Sequence, residues 1–497
     1  MIAYLLMLAG GGCILFCEPI AAAVGYALFW LGLKRCPRYT FWKALVFGVL
    51  IQAVQLFWLA SPEYHGLFII VAYLLICLIM GLMWAAFSLL VQKESFSPIA
   101  LASLWTLIEW SRLHLFCGYA WNHAGIHLGS TLWGRQIASI SGVLGLTFIV
   151  ILTNILFLKH KRIWAVLAVV PYLFGLMHLR YHEERMQNAP IGRAVLIQTG
   201  LLPEQKAPMP GKMGAFIHPL HQWKRVIHHI ADADWIVLPE AAFPFGARTP
   251  LFTQKQIETL FIDPPKKQSK WSHLDIAKNI AHMTGAEVVI GLDDYDEQGN
   301  YNSAFHISPN GSITKWDKKK LLPIAECLPF AWLKPFAARY GIQDFFTSGK
   351  DTPITGNKVP LSASVCYDEC FSHSVRCPGA KMHVNVTNDG WYPGTKLSRI
   401  HFEHGRLRAI ENGICLLRAC NTGITAGIDS LGRTISKLDS EEFGSLCIDI
   451  PLYSYSTPFA RYGHLPLIIL CFLSVGLGVV LRQKPYLQSI KRRVVSG

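Results

Sequence analysis

At 497 residues the chain has room for more than one domain. Its make-up, 52% hydrophobic and only 16% charged with a mean hydropathy of +0.32, is too apolar for an ordinary soluble protein. The formal charge of +14 would suit nucleic acid, but the basic residues cluster beside apolar runs, where they set topology, so no nucleic-acid partner is expected.

Nearly continuous apolar runs fill residues 1 to about 180 and 464–481, whereas 190–460 has the mixed composition of a globular domain. The expected layout is a membrane domain over 1–185 with about seven transmembrane helices, a soluble domain over 190–455, and a final helix with a basic cytoplasmic tail over 460–497. The spans fall at roughly 2–17, 20–33, 43–61, 67–91, 97–114, 140–158, 162–179 and 464–481, a count of eight, with six or seven as the alternatives because only Cys17-Glu18-Pro19 separates the first two. Those shorter than about 20 residues must thin the bilayer.

Loop charge orients these spans. With the N-terminus in the cytoplasm, the inside segments carry Lys34, Arg35, Arg38, Lys43, Lys93, Lys159, Lys161 and Arg162, and then Arg482, Lys484, Lys491, Arg492 and Arg493. The outside loops at 18–19 and 62–66 have no Lys or Arg, although Arg112, Arg135, Arg180 and Arg185 fall outside. This asymmetry puts the soluble domain on the outer side. The first segment lacks a basic start and a small-residue cleavage site, so it reads as a retained span. Glu109 and Arg112 are expected to pair, because unpaired charge in a membrane is costly.

The soluble stretch opens with a strand at Arg193–Gln198, followed by helical spacing over Trp223–Ile230. The apolar run Asp234–Leu238 leads to Pro239 and Glu240. A helix over Ser272–Met283 precedes a buried strand at Glu287–Gly291, and 301–308 with 311–316 form a hairpin across Pro309-Asn310-Gly311. Strands then end at Cys366 and at Asn388, a helix covers Lys396–Asn412, and Cys415–Ala419 pairs with Gly423–Asp429. Such alternation argues for an α/β sandwich.

Three reactive groups stand at or just past strand ends: Glu240, Lys318 and Cys366. A Cys thiolate attacks acyl carbon, a carboxylate moves the proton, and an ammonium stabilises a tetrahedral oxyanion. Singly, each also has a plain structural reading: a helix cap, one of the solvated lysines Lys318 to Lys320, and a buried inert thiol. The thirteen Cys show no metal-ligand spacing, so no metal is expected. Cys370 and Cys377 are candidates for a disulfide in an oxidising outer compartment.

Taken together, Leu238-Pro239-Glu240, the run from Lys318 through Leu321 and Pro323 to Glu326, and Cys366-Tyr367-Asp368 resemble the carbon–nitrogen hydrolase, or nitrilase, superfamily. Further motifs resemble its membrane-bound apolipoprotein N-acyltransferase family: Glu109-Trp110-Ser111-Arg112, Gly118 to Asn122, Gly142 to Phe148, Asn388 to Tyr392, Arg418 to Ala426 and Thr457 to Leu467. The resemblance implies an αββα four-layer nitrilase-like sandwich inserted into a multi-span α-helical membrane domain. It assigns Glu240 as general base, Lys318 as oxyanion stabiliser and Cys366 as nucleophile, with Glu326 and Tyr367 in support and Trp391 and Tyr392 against the acyl chain. It implies no cofactor, a phospholipid acyl donor, a diacylglyceryl apolipoprotein acceptor, and a monomer in the bacterial inner membrane with its catalytic domain facing the periplasm.

The chain departs from the family pattern at Ile324-Ala325, at Asp368 and at Gln198-Thr199-Gly200, and the irregular arm to about His221 has no secure match to the family's gating aromatic. Two other readings remain at this point. A membrane-anchored amidase would use the same groups on a small amide, and a transporter would need paired broken polar helices in its spans.

Overall fold

The computed structural model describes residues 1–480 except 94–95, 116, 210, 267–269, 324, 329, 331, 333–334, 336–344, 351–352 and 479. The basic tail, Arg482 to Arg493, therefore lies outside the described residues, as does Ile324. Two compact units emerge. One comprises Met1–His114, Ala120–Arg180 and the segment beginning at Tyr462; the other comprises Leu115–Tyr119 and Tyr181–Arg461.

The first unit is helical. Three helices are long and apolar enough to cross a membrane, Phe68–Val91, Ala138–Lys159 and Lys161–Met186, and a fourth span results if Thr40–Gln55 and Phe57–His65, bent by 60°, count as one. The remaining expected spans are shorter helices, including Ile2–Phe16, Pro98–Arg112 and Leu465–Gly478. The sequence itself shortens them: Glu18-Pro19 interrupts the first apolar run, and Pro62 opens a new short helix after the third. Gly142, at φ 66°, bends the helix Ala138–Lys159 near its start. Glu109 is buried and meets Arg112 only at 3.9 Å. Its closer partners are the Thr147 hydroxyl at 2.6 Å, Trp105 Nε1 at 2.8 Å and His123 Nδ1 at 2.9 Å.

The second unit holds two sheets. The strands in chain order are β1 (Ile191–Gln198), β2 (Trp235–Leu238), β3 (Glu287–Asp296), β4 (Gly299–Ile307), β5 (Ile313–Asp317), β6 (Leu361–Val365), β7 (Met382–Thr387), β8 (Cys415–Cys420), β9 (Thr425–Ile428), β10 (Thr434–Leu438) and β11 (Gly444–Pro451). One sheet runs β11-β1-β2-β3-β4-β5 and the other β10-β9-β8-β7-β6. Each sheet contains three adjacent parallel strands, β1-β2-β3 and β6-β7-β8, which is why these strands are buried along most of their length.

Alternating side chains divide the core into layers. Val195, Ile236, Val288 and Ile290 face the helices Pro219–Ile227 and His273–Thr284, meeting Trp223, Val226, Leu274 and Ile280. Their neighbours Leu196, Trp235, Val237 and Val289 face the second sheet at Ala363, Val365, Val384 and Leu417. On that sheet's far side, Phe402 and Ala409 of the helix Leu397–Asn412 cover Leu416, Ala426 and Ile428. The order is helix, sheet, sheet, helix, as expected for the sandwich.

Candidate active site

The carboxyl ends of β2, β5 and β6 carry the reactive groups. β2 stops at Leu238, Pro239 ends the pairing, and Glu240 follows, 5% exposed. The next strand must pass close to it: a Cβ on Gly291 would lie 2.5 Å from Glu240 Cα and 2.6 Å from the Pro239 carbonyl oxygen. Gly291 N–H donates to that carbonyl at 3.2 Å, and Ala242 N–H donates to Gly291 O at 2.8 Å. Lys318 directly follows β5, and its N–H donates to Asn302 O on β4. Cys366 directly follows β6 at φ 47°, a sparsely populated conformation for a residue with a Cβ, and a 3-10 turn Cys366–Cys370 begins there.

Folding joins these ends. Lys318 Nζ donates to Glu240 Oε1 at 3.0 Å and to Glu326 Oε1 at 2.8 Å. Asn302 Nδ2 bridges the same two oxygens at 2.6 and 3.2 Å, and Leu322 N–H fixes the other Glu326 oxygen at 2.7 Å. The neighbouring lysines point elsewhere, Lys319 Nζ to Ser374 O at 2.6 Å and Lys320 Nζ over the Phe371 ring. Asp368 ties the Cys366 turn to this strand end by accepting from the Lys320 N–H at 2.7 Å and the Lys319 N–H at 3.2 Å. That contact gives the departure from the family pattern at Asp368 a structural use.

Electrostatics set the resting state. Burial opposes the Lys318 ammonium, yet the negative charges of Cys366, once it is ionised, and of Glu240 and Glu326 outweigh it and hold its pKa well above the usual lysine value. Burial pushes the Cys366 thiol well up, with Glu240 adding to the effect and Lys318 opposing it. The resting sulfur is therefore a neutral thiol beside a fixed cation, and it needs a base to become a nucleophile.

Of the remaining expected residues, Tyr367 is buried and its hydroxyl donates to Gly118 O at 3.4 Å. Trp391 and Tyr392 lie on the turn after β7. Trp391 is 41% exposed, Tyr392 is buried, and Asp389 in the same turn is close enough for its charge to act on Cys366. Among the described residues no group of His, Cys, Asp and Glu could hold a metal ion.

Sequence reasoning missed three features. Asn302 is one: buried on β4, it shares that strand with Asn300, Ser303 and His306, and nothing in the sequence sets it apart from them. Lys206 is another: buried in the irregular arm, it donates to Glu240 O at 3.0 Å, and burial pulls its pKa down to about 8 against the pull of Glu240 and Asp293. The third is a charged layer behind Cys366. His401 faces Asp389 at 2.8 Å through Nδ1 and the Cys366 carbonyl at 3.3 Å through Nε2.

The sandwich is that of a carbon–nitrogen hydrolase, and the model of that family, Carbon-nitrogen hydrolase, matches residues 207–457. A second model, Apolipoprotein N-acyltransferase N-terminal domain, matches residues 7–156. Over its length the chain is similar to the apolipoprotein N-acyltransferase of Chlamydia trachomatis serovar D, at 30% identity over 92% of this chain and 91% of that protein. It is also similar to the apolipoprotein N-acyltransferase of Chlamydia pneumoniae, at 28% identity over 93% and 92%. Among solved structures, a CN-hydrolase superfamily protein from Xanthomonas campestris is similar at TM-score 0.37 and 17% identity, over 56% of this chain and 97% of that one. The chain belongs to the apolipoprotein N-acyltransferase family. The amidase alternative is set aside, because the match extends through the helical N-terminal region that defines the acyltransferases.

Proposed function

We propose that this protein transfers a fatty acyl chain from a phospholipid to the α-amino group of the N-terminal S-diacylglyceryl-cysteine of apolipoproteins, through a thioester on Cys366. The observation that carries this reading is the Lys318 ammonium gripped by Glu240 and Glu326 beside a protonated Cys366 thiol. Glu240 takes the thiol proton as sulfur attacks the ester carbonyl, and Lys318 stabilises the oxyanion. Glu240 returns the proton to the departing alkoxide, releasing lysophospholipid. In the second half the amine attacks the thioester, Glu240 receives its proton, and Cys366 is restored. Glu326 and Asn302 hold Lys318 and Glu240 in register, Tyr367 steadies the turn behind the sulfur, and Trp391 and Tyr392 flank the acyl chain.

The loop-charge asymmetry and the long apolar helices support a multi-span anchor in the bacterial inner membrane, with the catalytic unit on the periplasmic side. Intact-mass analysis of protein purified from membranes tests the intermediate. Wild type is expected to carry a fatty acyl adduct released by hydroxylamine, and Cys366→Ala none. N-acylation of a diacylated lipopeptide by Cys366→Ala would sink the proposal.

Gly291→Ala probes the geometry of the base. The added methyl meets backbone, not a flexible side chain, so a stability loss of about 1–3 kcal/mol is expected. Displacement of Glu240 is expected to slow transfer by about 10²-fold. Melting temperature and lipopeptide acylation rate, measured side by side, check both.

A further inference from the structure

We propose that Cys117 and Cys327 form a redox modification site, closing into an intramolecular disulfide that staples segment 115–119 to the loop carrying Glu326. Their sulfurs lie 3.0 Å apart, within the catalytic unit. A bond of about 2.05 Å requires them to close by only about 1 Å. Both residues are half-buried, so an incoming disulfide can reach them. The pair suggested by sequence, Cys370 and Cys377, consists of free, buried thiols, with Cys377 against Asn412 instead.

The surroundings prepare one sulfur to attack. The thiol–thiol hydrogen bond lowers the pKa of Cys117, burial opposes this, and the Lys320 charge adds to it. Cys117 as thiolate attacks one sulfur of an external protein or small-molecule disulfide, forming a mixed disulfide and expelling one thiolate. Cys327, on losing its proton, attacks the Cys117 sulfur and expels the second thiol. Two thiols of this chain are oxidised, and one external disulfide is reduced to two thiols. The oxidant comes from an oxidising compartment, so the inference rests on the reading that this unit faces the periplasm.

The consequence reaches the site through one peptide bond. Cys327 follows Glu326, whose carboxylate grips Lys318, and the N–H groups of Glu326 and Cys327 both donate to Leu322 O. On the same segment as Cys117, Gly118 O receives the Tyr367 hydroxyl next to the nucleophile. The disulfide thus pins a segment that touches both the Glu326 loop and the Cys366 turn.

Thiol mapping of the full-length protein in membranes tests this. After exposure to oxidised glutathione, acid quench and alkylation with N-ethylmaleimide, a non-reduced digest is expected to contain the cross-linked Cys117–Cys327 peptide. Both residues should then escape alkylation, and prior reduction with a phosphine should restore it. In Cys117→Ser, Cys327 is expected to be alkylated without reduction. Reduction is expected to lower the melting temperature of wild type but not of Cys117→Ser/Cys327→Ser. Full alkylation of both thiols in the non-reduced, oxidant-treated wild type, or Cys327 linked to another cysteine, overturns the proposal. The readouts are a mass and a melting temperature, so failure here leaves the acyl-transfer reading untouched, and loss of the Cys366 adduct leaves the disulfide result intact.

Discussion

Lys318→Met is expected to slow acyl transfer by about 10³-fold and to lower stability by about 3–5 kcal/mol. Methionine keeps the length of the stem and removes the charge. The buried Glu240 and the partly buried Glu326 then share the space with no cation between them, and the cost of that exceeds the loss of two hydrogen bonds. The sign with pH follows from the raised lysine pKa. The stabilising contribution is fully present below the usual lysine value of about 10.4 and is lost only as pH rises through the higher folded value. The deficit of the variant should therefore be constant from about pH 6 to 9. Lys318→Met/Glu326→Gln is expected to recover part of the stability and none of the activity, since the oxyanion donor is still missing. Lys319→Met and Lys320→Met serve as controls, because their ammonium groups bond Ser374 O and cover the Phe371 ring. Thermal unfolding and lipopeptide acylation across this series decide the matter. Transfer by Lys318→Met within tenfold of wild type would remove Lys318 from the proposed mechanism.

The strand-end positions of Glu240 and Cys366 were legible because β2 and β6, in parallel pairs, are buried along their length, so each reads as a short, mainly apolar run that ends just before the reactive residue. The helix His273–Thr284 was legible too, since Ser272 and Asp275 form its capping box and Gly285 ends it in a left-handed conformation. β10 and β11 were not anticipated. β11 alternates between buried Leu446, Ile448 and Ile450 and outward Cys447 and Asp449, but eight short-period residues after a turn carry a weak signal until β1 is known to lie beside them. The span count shows the reverse limit. Apolar composition reports that a segment avoids water, and it does not distinguish a full crossing from a short helix cut by Pro19 or Pro62. Asn302 and the charged residues behind Cys366 were hidden for a different reason: their partners are distant in sequence, and only the paired sheets bring them together.

That hidden layer carries the second large effect. Arg418, fully buried on β8, donates to Glu369 Oε2 at 2.9 Å and to Ile424 O at 2.5 Å, and sits 3.7 Å from Asp389 Oδ2. Glu369 belongs to the turn that begins at Cys366, and Asp389 faces His401, whose other ring nitrogen meets the Cys366 carbonyl. Burial raises the Asp389 pKa, but the pull of His401 and then of Arg418 holds it down to about 2. A depressed carboxyl contributes stability above its unfolded value of about 3.9, and that contribution is lost as pH falls toward 2. Arg418→Met leaves Glu369 uncompensated and weakens the hold on Asp389, so a loss of about 3–5 kcal/mol is expected at pH 7. The acid limb of the stability profile should also move to higher pH, because Asp389, losing the pull of Arg418, then protonates more readily. Arg418→Lys restores charge without the planar fork that reaches Glu369 and Ile424 O together, and it should recover less than half of the loss. Arg418→Met/Glu369→Gln should recover more than Arg418→Lys, since it removes the stranded charge itself. Melting temperatures from about pH 2 to 8 separate these outcomes. An Arg418→Met protein that matches wild type at pH 7 and keeps the same acid limb would mean that the buried layer adds no net stability beneath the nucleophile.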